Sequence, residues 1–174
     1  MDLTGHRLLR PTKGVLVSAP TDNYRLARSV TIAASAAAVF PHIAAFPAWQ
    51  AWSPWEGLDP DLRRTYSGAE SGLGARYAWT GNKKAGAGTM EVVEAEEPAR
   101  IVVDLRFEKP FPAQNLSTFT LSAVEGGTRV DWVMTGHRGL LMRIMAKVIP
   151  FDAQIAGDFE RGLAQLKAVA EASA

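Results

Sequence analysis

The feature that most constrains the fold is a long amphipathic segment at the C-terminal end of the chain. In residues 151–172, large apolar side chains recur at steps of four, four, four, three and four: Phe151, Ile155, Phe159, Leu163, Leu166 and Ala170. This spacing predicts one apolar stripe along a long α-helix. Such a stripe has to be covered, so the rest of the chain must supply an apolar surface large enough to receive it.

A series of strand signals in the middle of the chain predicts that surface. Apolar and polar residues alternate most clearly in residues 100–108, where Ile101, Val103 and Leu105 face one way. Turn signals recur about every ten residues, and Glu125-Gly126-Gly127 favours a short hairpin. The predicted strands are 24–34, 62–68, 75–82, 87–96, 100–108, 115–124 and 128–135. Six or seven antiparallel strands that curve around the long C-terminal helix give an α+β fold.

Two short helices are expected between the first strand and this meander. Ser35 is placed to cap the first helix, while Pro41 and Pro47 limit its regularity and predict a break near Phe46. After the break, Trp49, Trp52 and Trp55 recur at three-residue spacing beside prolines. This spacing favours a wedge that seals one end of the sheet, with Trp52 reaching the interior; a ligand-stacking role is the alternative.

Composition fits one domain and excludes several function classes. The chain has 174 residues, 47% of them hydrophobic and 21% charged, which favours a single domain over residues 23–174 after a loosely ordered arm, 1–22. The absence of cysteine excludes thiolate catalysis and Cys-based metal sites. A net charge of +1 with interspersed signs gives no footprint for nucleic acid.

No apolar run approaches the roughly 20 residues that span a bilayer, so a cytoplasmic location is the default expectation. The richest segment, residues 140–149, is interrupted by Arg143 and Lys147. It is either the start of the C-terminal helical region or a mobile lid that contacts a membrane surface peripherally. The chain is expected to be a monomer or a weak homodimer.

The sequence singles out no catalytic residue, metal site or cofactor. His6, His42 and His137 form no metal-ligand pair, and strand alternation places Glu91 and Asp104 on solvent-facing sides. The Gly72-x-Gly74 and Gly86-x-Gly88 pairs lack the strand-to-helix context of phosphate loops and are interpreted as turns or bulges.

Four blocks in order resemble a known family: WSPWEGLDP (52–60), SGLGARYAWTGN (71–82), GTMEVVEAEEPARIVVDL (88–105) and GDFERGLAQLK (157–167). Together they are similar to the SRPBCC superfamily, which includes START-like domains, and within it to the polyketide cyclase/dehydrase branch. The resemblance runs from about Tyr24 to the C-terminus. It implies a helix-grip fold whose sheet and long helix enclose an apolar cavity for a lipid-like or aromatic ligand, and it implies no particular reaction.

Residues on the inward faces of the predicted elements are the candidates for binding such a ligand. They are Trp52, Tyr77, Trp79, Met90, Leu105, Phe107, Phe119, Trp132, Met134, Phe151, Ile155 and Phe159. The partner expected first is a hydrophobic small molecule or lipid held in a cavity of roughly 300 to 1,000 Å³.

Two other functions stay open beside this binding function. One is an enzyme of the polyketide cyclase or dehydratase type that uses the same pocket, and the other is a protein-interaction module. An inward-facing polar pair such as Tyr77 with Glu91 would favour the enzyme, an all-apolar lining would favour a carrier, and a filled interior would favour the interaction module.

Overall fold

The structure is a computed structural model that describes the backbone of residues 24–136 and 151–174, with side chains in the second range from residue 153 onward. Helix α1 is Ala36–Ala44, a 3-10 helix follows at Phe46–Ala51, and helix α2 is Phe151–Ala172. The strands are β1 (Tyr24–Ile32), β2 (Arg63–Gly68), β3 (Ala75–Thr80), β4 (Ala87–Glu96), β5 (Arg100–Lys109), β6 (Ala113–Val124) and β7 (Gly127–Gly136). The predicted lid, residues 140–149, and the arm, 1–22, lie outside the described residues.

The seven strands form one curved antiparallel sheet in the order β1-β7-β6-β5-β4-β3-β2. Strands β2 to β7 pair as a meander, and β1 closes onto β7, with Tyr24 opposite Gly136. Register shifts in β4, at Ala87/Gly88 and Val92/Glu94, interrupt the ladder with β5. The α+β helix-grip fold is confirmed, with seven strands.

Helix α2 covers the end of the sheet that contains β1. Phe159, Leu163 and Leu166 of the predicted stripe are buried, as is Ala170. The stripe therefore meets the apolar surface that its spacing required.

Polar contacts also join α2 to β1. The Arg28 guanidinium donates to Glu160 at 2.7 Å, and Lys167 donates to the Thr31 carbonyl at 2.8 Å. The Glu171 carboxylate accepts from the Ala33 amide at 2.7 Å. These contacts are exposed, so each adds less to stability than the buried stripe.

The break between the two short helices falls at Ala45, which confirms the prediction near Phe46. The Ser35 hydroxyl accepts from the Ala38 amide at 3.2 Å and caps α1, and the following helix begins with Phe46-Pro47. The break turns the chain so that the tryptophans that follow reach the sheet.

Asp104 was expected to be exposed to solvent, and this expectation is wrong because the residue is buried. Its side chain is on the outer face of β5, as the alternation predicted, but the residue is only 8% exposed. Arg106 donates to its Oδ2 at 2.9 and 2.6 Å, and Gln114 donates to Oδ1 at 3.0 Å. These long side chains on the same face cover the carboxylate, and the contact with Asp104 raises the pKa of Arg106.

Candidate ligand-binding cavity

A cavity of about 410 Å³ lies between the inner face of the sheet, the start of α2 and the segment that follows the 3-10 helix. Sheet residues from four strands form most of its wall: Tyr77 and Trp79 on β3, Met90 on β4, Leu105 and Phe107 on β5, and Trp132 and Met134 on β7. Helix α2 adds Ile155. The structure thus brings eight of the twelve predicted ligand-binding residues to one cavity; whether they bind a ligand stays a prediction.

The ring of Trp79 lies against the backbone of the neighbouring strand because residue 88 is a glycine. A Cβ atom at Gly88 would be 2.5 Å from the Cη2 atom of Trp79. The Trp79 indole donates to the Ala85 carbonyl at 3.0 Å and meets Phe107 edge to face. These contacts fix the aromatic wall at the end of the cavity near the β3–β4 turn.

Three of the other predicted residues lie behind the cavity wall. Trp52, Phe119 and Phe159 are at most 1% exposed, and none of them lines the cavity. Phe159 stacks on Trp132 with ring centroids 3.9 Å apart, and Phe119 also stacks on Trp132, with centroids 4.9 Å apart. These rings hold Trp132, which does line the cavity. The fourth, Phe151, has its side chain outside the described residues.

Of the three tryptophans in residues 49–55, Trp49 and Trp55 line the cavity, whereas Trp52, the one expected to reach it, does not. In a 3-10 helix, residues three apart lie side by side, and the rings of Trp49 and Trp52 are 4.8 Å apart. The Trp52 indole donates to the His42 carbonyl at 2.8 Å, so its ring is held against the end of α1. The three-residue spacing identified the cluster but could not say which ring faces the cavity.

Polar residues that the sequence interpretation missed also line the cavity. They are Ser53, Glu56, Lys84, Ser117, Gln154 and Asp158. All except Ser117, which lies on β6, come from loops or from the first turns of α2, where no alternation marks the inward side.

Beside Glu56, an aromatic and charged cluster packs against the wall. Arg64 donates to the Glu56 carboxylate, and Tyr66 stacks on Tyr77 with centroids 5.2 Å apart. Burial, and then the negative charge of Glu56, raise the pKa of Tyr77 to about 12, while Arg64 acts in the opposite direction. Tyr77 is therefore protonated at neutral pH, and its phenol is not available as a base.

The β3–β4 turn beside the cavity is clamped by the buried side chain of Asp59. Its Oδ2 accepts from the Asn82 amide at 2.6 Å, and its Oδ1 accepts from the Asp61 amide at 2.9 Å. The Asn82 side chain accepts in turn from the Lys84 and Ala85 amides at 2.8 and 3.1 Å. This network fixes the backbone of the residues at the cavity mouth.

Glu91 lies on the outer face, as the strand alternation predicted, so the inward Tyr77–Glu91 pair that would favour an enzyme is not formed. Its carboxylate accepts from Arg76 at 3.1 Å, away from the cavity. The inner wall next to Tyr77 is instead Met90 and other apolar groups.

Within residues 24–136 and 153–174, no group of three His, Asp or Glu side chains is arranged to hold a metal ion. Across the same described ranges, no helix has both the length and the apolar character that a membrane crossing needs.

Comparison with known proteins places these features in a family. The family model described as polyketide cyclase/dehydrase and lipid transport matches residues 24–171. No curated protein matches the sequence.

Solved structures of low identity share the fold. Protein MLL2253 from Mesorhizobium loti is 14% identical, with a TM-score of 0.64 over 87% of this chain and 99% of that one. A protein from Rhizobium leguminosarum is 18% identical, with a TM-score of 0.63 over 86% and 95%. The Aha1 dimer from Colwellia psychrerythraea is 15% identical, with a TM-score of 0.60 over 85% and 96%.

Proposed function

Because the chain belongs to the polyketide cyclase/dehydrase and lipid transport family, we propose that it binds a hydrophobic small molecule in the cavity between the sheet and α2. The observation that carries this proposal is the wall itself: aromatic and aliphatic side chains from four strands and α2 converge on one space that they do not fill. Ligand sites are typically concave, mostly apolar and edged by a few polar groups.

The size of the cavity supports a single small molecule. A volume of about 410 Å³ is near the lower end of the roughly 300 to 1,000 Å³ typical of ligand pockets. One fused-ring compound or one short acyl chain suits this space better than a two-chain lipid. The empty space also argues against a module whose interior serves only as a packed core.

The charges around the cavity favour a carrier over an enzyme. General-base catalysis needs a free base within reach of the ligand. Among the described residues that line the cavity, Glu56 is paired with Arg64, and Asp158 is paired with Arg161 at 2.5 Å.

A cyclase or dehydratase activity is the second candidate, and one observation favours it. Tyr77 lines the cavity with a neutral hydroxyl, which is able to polarise a ligand carbonyl by a hydrogen bond. Native mass spectrometry before and after incubation of the protein with its co-purified ligand separates the two functions. An unchanged ligand mass supports the carrier, whereas loss of water supports the enzyme.

Binding is tested by titration with prodan, a neutral naphthalene dye, followed by energy transfer from the cavity tryptophans. Met90→Trp fills the cavity and should weaken binding roughly tenfold, about 1.4 kcal/mol. Val93→Trp adds the same side chain at an exposed position on the same strand and should leave binding unchanged. Met90→Phe repeats the test with a smaller ring if Met90→Trp does not fold.

The proposal fails if the wild-type chain does not bind prodan, or if the filled variant binds it as well as Val93→Trp does. A cytoplasmic location and a monomeric or weakly dimeric state remain predictions from the sequence.

A further inference from the structure

We propose that Lys84 binds a carboxylate on the ligand, so that the natural ligand is an amphipathic acid with an apolar body and one anionic end. This inference rests on the proposed function and names the chemical class that the same cavity selects. It is carried by the distribution of charge at the cavity mouth.

Three ionisable groups other than tyrosine line the cavity in the described part of the chain: Glu56, Lys84 and Asp158. Both carboxylates already have partners. Glu56 accepts from Arg64, and Asp158 accepts from Arg161 at 2.5 Å and from the Trp55 indole at 3.3 Å. A cationic ligand would have to compete with two arginines for these carboxylates.

Lys84 is in the opposite situation. Within residues 24–136 and 153–174, its ammonium group makes no ion pair and no side-chain hydrogen bond. Its three N–H donors are therefore available to an incoming acceptor. The charge that the lining leaves uncompensated is positive.

The turn that contains Lys84 holds the backbone of this residue in place. Its amide donates to the Asn82 side chain, and Asn82 is held by the buried carboxylate of Asp59. The next residue, Ala85, lines the cavity and accepts from the Trp79 indole. The backbone that carries Lys84 is thus held by hydrogen bonds next to the aromatic wall, and Lys84 itself lines the cavity.

This arrangement suits a ligand whose two ends differ. The apolar body lies against Trp79, Phe107 and Met90, where burial is favourable. The carboxylate stays at the exposed mouth, where it keeps part of its hydration and meets the Lys84 ammonium. A position beside Glu56 would instead bring it to a like charge whose cation, Arg64, is already paired.

The test compares 2-naphthoate with the neutral alcohol 2-naphthalenemethanol, which has the same ring system. At about pH 7.5 the acid is ionised. Wild-type protein is expected to bind the acid about five- to tenfold more tightly than the alcohol in calorimetric titrations. Lys84→Ala should remove this preference by weakening acid binding alone, and Lys84→Arg should retain it.

Lys83→Ala is the matched control, because Lys83 is the neighbouring exposed lysine and does not line the cavity. It should leave the preference unchanged. Added salt should reduce the difference in affinity between the acid and the alcohol for the wild-type protein, because the contact with Lys84 is exposed to solvent.

The outcomes separate the two proposals. Binding of neither compound overturns the proposed function. Equal binding of both compounds by the wild-type protein overturns the role of Lys84 and leaves the cavity as a neutral binding site. An equal loss of preference in Lys83→Ala and Lys84→Ala also overturns it, because the effect would then be a general one of positive charge.

Discussion

Tyr77 illustrates how surroundings decide the chemistry of one side chain. Its position on β3 was predictable from strand alternation, but its environment was not. The structure stacks it on Tyr66 and Trp79 and brings Glu56 near it from a loop. Burial and this nearby carboxylate both favour the neutral phenol, so Tyr77 stays protonated across the physiological range.

Replacement of Tyr77 by Phe should change how stability depends on alkaline pH. The pKa of Tyr77 is about 12 in the folded protein, against an ordinary value of 10.0. The unfolded chain therefore ionises first, and the stability that Tyr77 contributes is complete below pH 10 and lost as the pH rises toward about 12. Urea midpoints at about pH 8, 10 and 11 should fall more steeply in the wild type than in Tyr77→Phe.

Tyr66→Phe is the control for this prediction. Burial also raises the pKa of Tyr66, but that residue is 38% exposed and should contribute a smaller alkaline slope. Identical slopes in the wild type and Tyr77→Phe would contradict the assigned environment.

At the same scale, alternation predicted which way a strand residue points and not how exposed it is. Glu91 and Asp104 both lie on the outer face, as expected, yet only Asp104 is buried. The difference comes from neighbours: Arg106 and Gln114 both donate to Asp104, whereas Glu91 makes one exposed pair with Arg76. Such cover depends on the register between β5 and β6, which the sequence does not specify.

At the scale of elements, the tryptophan segment acts as a joint between α1, the 3-10 helix and the sheet. The indoles of Trp49 and Trp52 donate to the Ile43 and His42 carbonyls, both at 2.8 Å. These carbonyls belong to the last turn of α1, where no further helical turn satisfies them. The same two indoles therefore satisfy the C-terminal carbonyls of α1 and close this end of the core.

Trp52→Phe should destabilise the protein without a large change in ligand binding. The phenyl ring retains much of the contact with Phe119 and Trp132, but the partly buried His42 carbonyl loses its donor. An unsatisfied group of this kind costs about 1–3 kcal/mol in the free energy of unfolding, measurable by urea denaturation. Prodan affinity should stay within about twofold of the wild type.

Trp55→Phe is the matched variant on the cavity side. Trp55 is partly exposed, and its bond to Asp158 is longer, at 3.3 Å. We expect a smaller loss of stability and a larger change in prodan affinity than in Trp52→Phe. The opposite ranking would show that Trp52, and not Trp55, contacts the ligand.

At the scale of the whole molecule, the sequence predicted the fold more fully than the cavity. The apolar stripe of α2 and the alternation of β5 each require a partner surface, and together they permit few architectures. The cavity depends instead on what α2 leaves uncovered. Helix α2 packs over β1, so inward residues of β3 to β5, such as Trp79 and Leu105, border open space. Trp52 and Phe119 are equally apolar, but each is enclosed by other aromatic rings of the core, including Trp49 and Trp132.

Because sheet and helix share one core, they should unfold together. Leu166 is fully buried between α2 and the sheet, and Leu166→Ala should cost about 2–5 kcal/mol. Helices in proteins take most of their stability from such packing, so α2 should not outlast the sheet. Urea transitions can be followed by tryptophan fluorescence, which reports on the sheet and the 3-10 helix. They can also be followed by far-ultraviolet circular dichroism, which includes α2. The midpoints from both signals should shift equally in Leu166→Ala.

Glu160→Gln is the control: it removes an exposed ion pair with Arg28 and should change stability by less than about 1 kcal/mol. A helix signal that is lost before the fluorescence change would mean that α2 is held to β1 by surface contacts and not by the common core.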